Sequence, residues 1–275
     1  MSNLLKRSIF GTLFLVVTVG CLLTPFGYAA LMTFVIVTTT VELFRMLVPG
    51  RRYWHEKAMV LLCCVSAFVL AFLHFNTGLE SRFILCSLLP LTAAFIFMLF
   101  DSAKDYDFQS SLFVPVAYIA VPVCCSLFLA FPKGEFTWTI LLGMFILIWS
   151  CDVGAYCFGM MFGQKEGSRK LFPAISPKKS WAGVFGGFLC TILAAWLVSK
   201  FFGDTLPIVH WMAIALSVST IGVIGDLFES LIKRHSGVKD SGNIIPGHGG
   251  MLDRYDDILF LLPVVSVYLK LFNAI

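Results

Sequence analysis

Charge is scarce in this sequence. Asp, Glu, Lys and Arg make up 13% of its 275 residues against 59% hydrophobic ones, and the mean hydropathy is +0.89. Soluble domains carry roughly 25% charged residues, so the composition excludes one and leaves an all-α, polytopic membrane protein. Metal-ligand cysteine spacing is missing as well. The nine cysteines, with the pairs Cys63-Cys64 and Cys124-Cys125, lie almost entirely in apolar runs and form no C-x-x-C, so they read as small apolar side chains. No H-E-x-x-H, Walker loop or serine elbow suggests zinc, P-loop or acyl-transfer chemistry. Repeats and low-complexity tracts are also missing, and a net charge of +4 implies no nucleic-acid partner.

What is present is a series of apolar windows of about 17 to 25 residues, the length that crosses a bilayer. They fall near 8–26, 28–47, 58–75, 83–100, 111–131, 136–162, 181–202, 208–232 and 257–273, which predicts nine spans. Pro25-Phe26-Gly27 is expected to turn the first pair into a tight hairpin. Lys6 and Arg7 ahead of the first window mimic a signal peptide, but no clear cleavage site follows and a retained helix is expected.

Basic residues orient the chain. With the N-terminus in the cytoplasm, sixteen of the twenty lie on that side: Lys6, Arg7, Arg45, Arg51, Arg52, Lys57, Lys104, Lys165, Arg169, Lys170, Lys178, Lys179, Lys233, Arg234, Lys239 and Arg254. Only Arg82, Lys133, Lys200 and Lys270 lie opposite, a strong positive-inside bias that favours an odd number of spans. Trp54, Trp138 and Trp181 near span ends suit the headgroup region. The sequence divides into 1–135 with five spans and 136–275 with four, within one membrane unit that concentrates polar residues in its second half.

Polar chemistry gathers between Gly225 and Asp257. Asp226, Glu229, Ser230 and Lys233 stand at i, i+3, i+4 and i+7, on one face of a helix. Intramembrane charge is costly, so that face must meet protein or a wet cavity, as a functional site or as an internal salt bridge with Lys233 and Arg234. Gly237, Gly242, Gly247, Gly249 and Gly250 punctuate the following loop, where positive φ and close approach favour an anion-binding nest flanked by Lys239 and His248. Asp253, Asp256 and Asp257 open the last span. Helix capping accounts for Asp256 and Asp257 as well as function does, whereas Asp226 and Asp253 are the candidates to share a hard divalent cation.

Two further segments contribute. Asp152 lies inside the sixth span with Tyr156, Gly159 and Gly163 beyond it, and reads equally as a satisfied buried acid or as a catalytic one. Ser176-Pro177-Lys178-Lys179-Ser180-Trp181 brings two ammonium groups to the mouth of the seventh span, as a lipid anchor, a phosphate clamp or both. Gly183, Gly186 and Gly187 behind it allow close helix packing. Carboxylates, lysines and a glycine-rich turn on membrane helices are parts for phosphoryl or nucleotidyl transfer to a lipid headgroup.

The run SLIKRHSGVKDSGNIIPGHGGMLDRYD, from Ser230 to Asp256, resembles the signature of the phosphatidate cytidylyltransferases, or CDP-diacylglycerol synthases. Asp152 to Tyr156 with Gly159, Phe162 and Gly163, and Ser176 to Trp181, are similar to two more segments of that family, so the resemblance covers roughly 150–260. It implies a homodimeric enzyme with nine spans per subunit that makes CDP-diacylglycerol and pyrophosphate from CTP and phosphatidate. It further implies dependence on Mg²⁺, with room for a second, monovalent cation, and places the metal on Asp226 and Asp253. Lys178, Lys179 and Asp152 join these as catalytic residues. Ser176, Ser230, Lys233, Arg234, Lys239, Asp240, His248, Gly249, Gly250, Arg254 and Asp256 are expected to bind substrate. Ala182 departs from a frequent Glu, Tyr255 from a smaller apolar residue and Asp257 from a common Ser. The missing Glu weakens any scheme that needs a base at position 182.

Two other readings are weighed against this one: a CTP-dependent lipid-alcohol kinase, and a transporter with Asp152 and Asp226 on an ion pathway. The crowding of polar residues into one half, without inverted repeats, argues against transport. Short length and no organelle-targeting segment point to a bacterial inner membrane, with the site facing the cytoplasm.

Overall fold

A computed structural model describes residues 3–48, 53–100, 112–165 and 167–275; Arg51, Arg52 and Lys104 of the charge count lie outside them. The described chain is helical nearly throughout. In order come α1 (Asn3–Leu22), α2 (Pro25–Leu47), α3 (Trp54–Thr77), a 3₁₀ segment Ser81–Ser87 leading into α4 (Leu88–Phe100), and a π-helical turn Val116–Ala120 leading into α5 (Val121–Ala130). Then follow α6 (Thr139–Phe162), α7 (Trp181–Phe201), α8 (Ile208–Ser217), a π-helical turn Val218–Gly222, α9 (Val223–His235) and α10 (Leu252–Leu271). Among the described residues, each apolar window of the sequence overlaps a helix. Among the described residues, six stretches are long and apolar enough to cross a membrane: Pro25–Leu47, Trp54–Thr77, Ser81–Met98, Thr139–Phe162, Trp181–Phe201 and Ile208–His235. Ser8–Leu22 and Val116–Ala130 are shorter apolar helices. The chain is thus a polytopic all-α membrane protein.

One local expectation is corrected. Pro25 does not form the first turn but opens α2, where its missing N–H costs nothing. Thr24 caps that helix, its Oγ1 accepting from the Gly27 N–H at 3.1 Å, so the link is only Leu23-Thr24. The loop after α6 contains a small antiparallel hairpin, β1 (Lys170–Phe172) and β2 (Ser176–Ser180).

The chain divides into two compact units. One comprises Met1–Phe136 with Ser236–Arg254 and the other Thr137–His235 with Tyr255–Ile275. The first is centred on aromatic packing around Tyr28, which is fully buried, lies edge-on to Phe68 and shares a 2.5 Å hydrogen bond with Ser126. In the second, α6 and α7 run together because small residues meet at their seam. A Cβ on Gly183 would sit 3.0 Å from the Ala155 carbonyl oxygen, and one on Gly187 3.0 Å from Cys151 Sγ.

Candidate active site

In the second unit, the close α6–α7 seam ends at β2. Ser180, the last residue of β2, caps α7 by accepting from the Gly183 N–H at 3.2 Å. Strand alternation then turns Lys178 and Lys179 to opposite sides. Lys178 is exposed, while Lys179 reaches the Asp226 carboxylate on α9 and pairs with it. The π-helical turn ahead of α9 resets the helical phase just before Asp226, a distortion that often marks functional sites. Around these residues lies a cavity of about 210 Å³, lined by Asp152, Tyr156 and Gly159 of α6, by Lys178 and Lys179, and by Asp226 and Asp257. Drug-sized ligands occupy roughly 300–1,000 Å³. This space suits a phosphate group and its counter-ion, not an entire nucleotide.

Asp226, Asp256 and Asp257 each present a carboxylate oxygen, all within 4.8 Å of one another. Any two of them, when ionised, repel by roughly 3 kcal/mol at an effective dielectric of about 20, and Lys179 offsets part of that charge. Three hard oxygen donors converging in this way fit a hard divalent cation such as Mg²⁺. Because α10 begins at Leu252, Asp253 is in its first turn and Asp256 and Asp257 lie one turn deeper. Helix capping therefore accounts for Asp253 better than for the other two.

The remaining polar residues of α9 are tied down locally. Lys233 pairs with the fully buried Glu229, so the internal salt bridge forms there, whereas Asp226 pairs with Lys179. Ser230 Oγ lies 3.4 Å from Asp226 Oδ1, and Arg234 Nε donates to the Ile175 carbonyl at 3.4 Å, tethering α9 to the hairpin. Ser176 begins β2 but is not among the residues lining the cavity.

In the first unit, the glycine-rich segment forms a concavity of about 550 Å³ whose wall includes Lys239, Asp240, His248, Gly249 and Arg254. A tight turn closes it, with the Ile245 N–H donating to the Gly249 carbonyl at 3.1 Å and Gly249 at φ +86°. The backbone beyond is already engaged. The Gly250 N–H donates to Asp253 Oδ2 at 2.8 Å, the Met251 N–H to Glu42 Oε1 at 2.9 Å and the Leu252 N–H to Glu42 Oε2 at 2.8 Å. Ser241 also donates its N–H to Asp253 Oδ2 at 3.0 Å. Carboxylates of the chain thus take the N–H groups at 250–252, of which Gly250 belongs to the glycine-rich run.

Sequence reasoning passed over two residues here. Asp257 stood evenly between a helix cap and a functional acid and was not named as a site residue, although its place one turn inside an apolar helix is a signal in itself. Glu42 on α2 was not considered, although it is the one acidic residue in that 23-residue helix, the kind of intramembrane charge that marks a site by default.

A family model described as the cytidylyltransferase family matches residues 5–272. Among curated proteins, a phosphatidate cytidylyltransferase of Staphylococcus epidermidis is 45% identical over 125 residues, 46% of each chain. One of Bacillus subtilis is 37% identical over 171 residues, 62% of each chain, and one of Staphylococcus aureus is 42% identical over 125 residues, 46% of each. These alignments span about half to three-fifths of the relatives' lengths. The family match, by contrast, runs almost from end to end, and on that ground the chain belongs to the cytidylyltransferase family.

Proposed function

We propose that the chain is an integral membrane enzyme that transfers CMP from CTP to phosphatidate, giving CDP-diacylglycerol and pyrophosphate. The observation that carries this reading is the cavity lined by Asp226, Asp257, Lys178 and Lys179, with a carboxylate oxygen of Asp256 within 4.8 Å of those of Asp226 and Asp257. The names of the relatives agree with it.

In this scheme an ionised phosphate oxygen of phosphatidate bonds to the α-phosphorus of CTP as the bond to the bridging α,β oxygen breaks, and pyrophosphate leaves with that electron pair. Phosphatidate carries an ionised oxygen near neutral pH, so no strong general base is needed and Ala182 is no handicap. The chain supplies positioning and charge neutralisation. Lys178 and Lys179 hold phosphate oxygens at the cavity, and Asp152 orients them from the α6 wall. Lys239, His248 and Arg254 hold the anionic groups of the substrate in the glycine-rich concavity. Asp226 with Asp256 and Asp257 would bind Mg²⁺, and Asp253 serves chiefly to shape the loop. When bound, the metal would polarise the α-phosphate and offset leaving-group charge.

We further propose a homodimer of nine-span subunits in a bacterial inner membrane, with the site on the cytoplasmic side and a monovalent cation as a second ion. Product identity tests the reading. Full-length protein in detergent, given phosphatidate, CTP and Mg²⁺, should yield CDP-diacylglycerol by mass spectrometry. CDP together with a newly phosphorylated lipid would mean a kinase.

A further inference from the structure

Glu42 is fully buried near the end of α2, yet it comes from the part of the chain that carries none of the signature segments. Its carboxylate accepts three hydrogen bonds from the glycine-rich segment: the Met251 N–H at 2.9 Å, the Leu252 N–H at 2.8 Å and the Ser241 hydroxyl at 3.0 Å. The same hydroxyl lies 3.1 Å from Asp253 Oδ2, so one serine joins the two acids. Two glycines make room for this arrangement. A Cβ on Gly242 or on Gly250 would lie 2.5 Å from Glu42 Oε1. A buried acid that touches both ends of a loop, residue 241 and residues 251–252, fixes the span between them.

We propose that Glu42 is a positioning residue for substrate binding: it clamps Ser241–Leu252 so that Lys239, His248 and Arg254 are held around the concavity they line. This rests on the reading of that concavity as a substrate site. A carboxylate is required because it is acceptor-only. Glutamine keeps the shape but turns one acceptor into a donor facing a backbone N–H.

The test uses full-length Glu42→Gln in detergent, at a temperature where near-UV circular dichroism shows it folded. kcat/KM should fall about 100-fold, as expected for misplacement of about 1 Å. The loss should appear in the KM of one substrate, CTP or phosphatidate, and hydrogen exchange should quicken at Met251 and Leu252 while α3 and α6 stay protected. General destabilisation would instead lower kcat at unchanged KM for both. If Glu42→Gln does not fold, Ser241→Ala is measured, and a several-fold rise in the same KM is expected. Unchanged KM for both substrates in the folded variant overturns the inference while leaving the enzyme reading intact. Wild-type protein that forms no CDP-diacylglycerol overturns the enzyme reading, and with it the positioning role given to Glu42.

Discussion

Lys179 and Asp226 form an ion pair with side chains 26% and 35% exposed, one at the end of β2 and the other at the start of α9. The pair links the lysine motif to the carboxylate cluster within a single cavity. Replacing Lys179 by Met keeps the length of the side chain and removes its charge. Turnover is expected to fall about 100-fold or more, the cost of losing one preorganised electrostatic donor, with folded protein retained. Near-normal turnover in the assay would remove Lys179 from the mechanism.

Asp226→Asn should abolish activity without loss of folded protein. Asp257→Asn should raise the Mg²⁺ concentration for half-maximal rate by at least the roughly 10- to 100-fold that loss of an outer-shell partner costs. Asp253→Asn should chiefly quicken hydrogen exchange at Ser241 and Gly250, whose N–H groups it accepts at 3.0 and 2.8 Å. A Mg²⁺ titration that shifts for Asp253→Asn and not for Asp257→Asn would return the metal to the pairing expected from the sequence.

Glu229 is wholly buried beside Lys233. Truncating one member of such a pair leaves an uncompensated charge and costs about 3–5 kcal/mol. Glu229→Ala should therefore lower the thermal midpoint in detergent clearly, whereas an unchanged midpoint would show that Lys233 finds water.

Gly250→Ala places a Cβ against the Glu42 carboxylate. Overpacking of this kind costs about 1–3 kcal/mol. Faster proteolysis within 236–254 than in wild type is the expected readout, and an equal rate would mean that α2 gives way easily.

Much of the architecture was legible because hydropathy depends on nearest neighbours along the chain. Each of the nine apolar windows overlaps helix among the described residues, and α9 shows Glu229, Ser230 and Lys233 on the buried face that their spacing implies. Pro25 was misread because a proline that ends one helix and a proline that begins the next look alike until the cap at Thr24 is seen. The hairpin β1–β2 escaped because its strands of three and five residues show no clear alternation.

The site was legible where its residues are close in sequence, and obscure where they are not. Lys179 meets Asp226 across 47 residues, and Glu42 meets Leu252 across 210. No local spacing encodes either contact. Three of the five loop glycines, Gly237, Gly247 and Gly249, do take positive φ. Gly242 and Gly250 are small for another reason, the approach of Glu42.

The central claim is tested most directly by following which phosphate of CTP enters the lipid. Purified full-length protein would be given phosphatidate, Mg²⁺ and CTP labelled at the α- or the γ-position, with an EDTA control. The account predicts α-label in lipid, release of pyrophosphate and silence with EDTA. Appearance of γ-label in lipid would make the protein a kinase, and no label in lipid from demonstrably folded protein would contradict nucleotidyl transfer altogether.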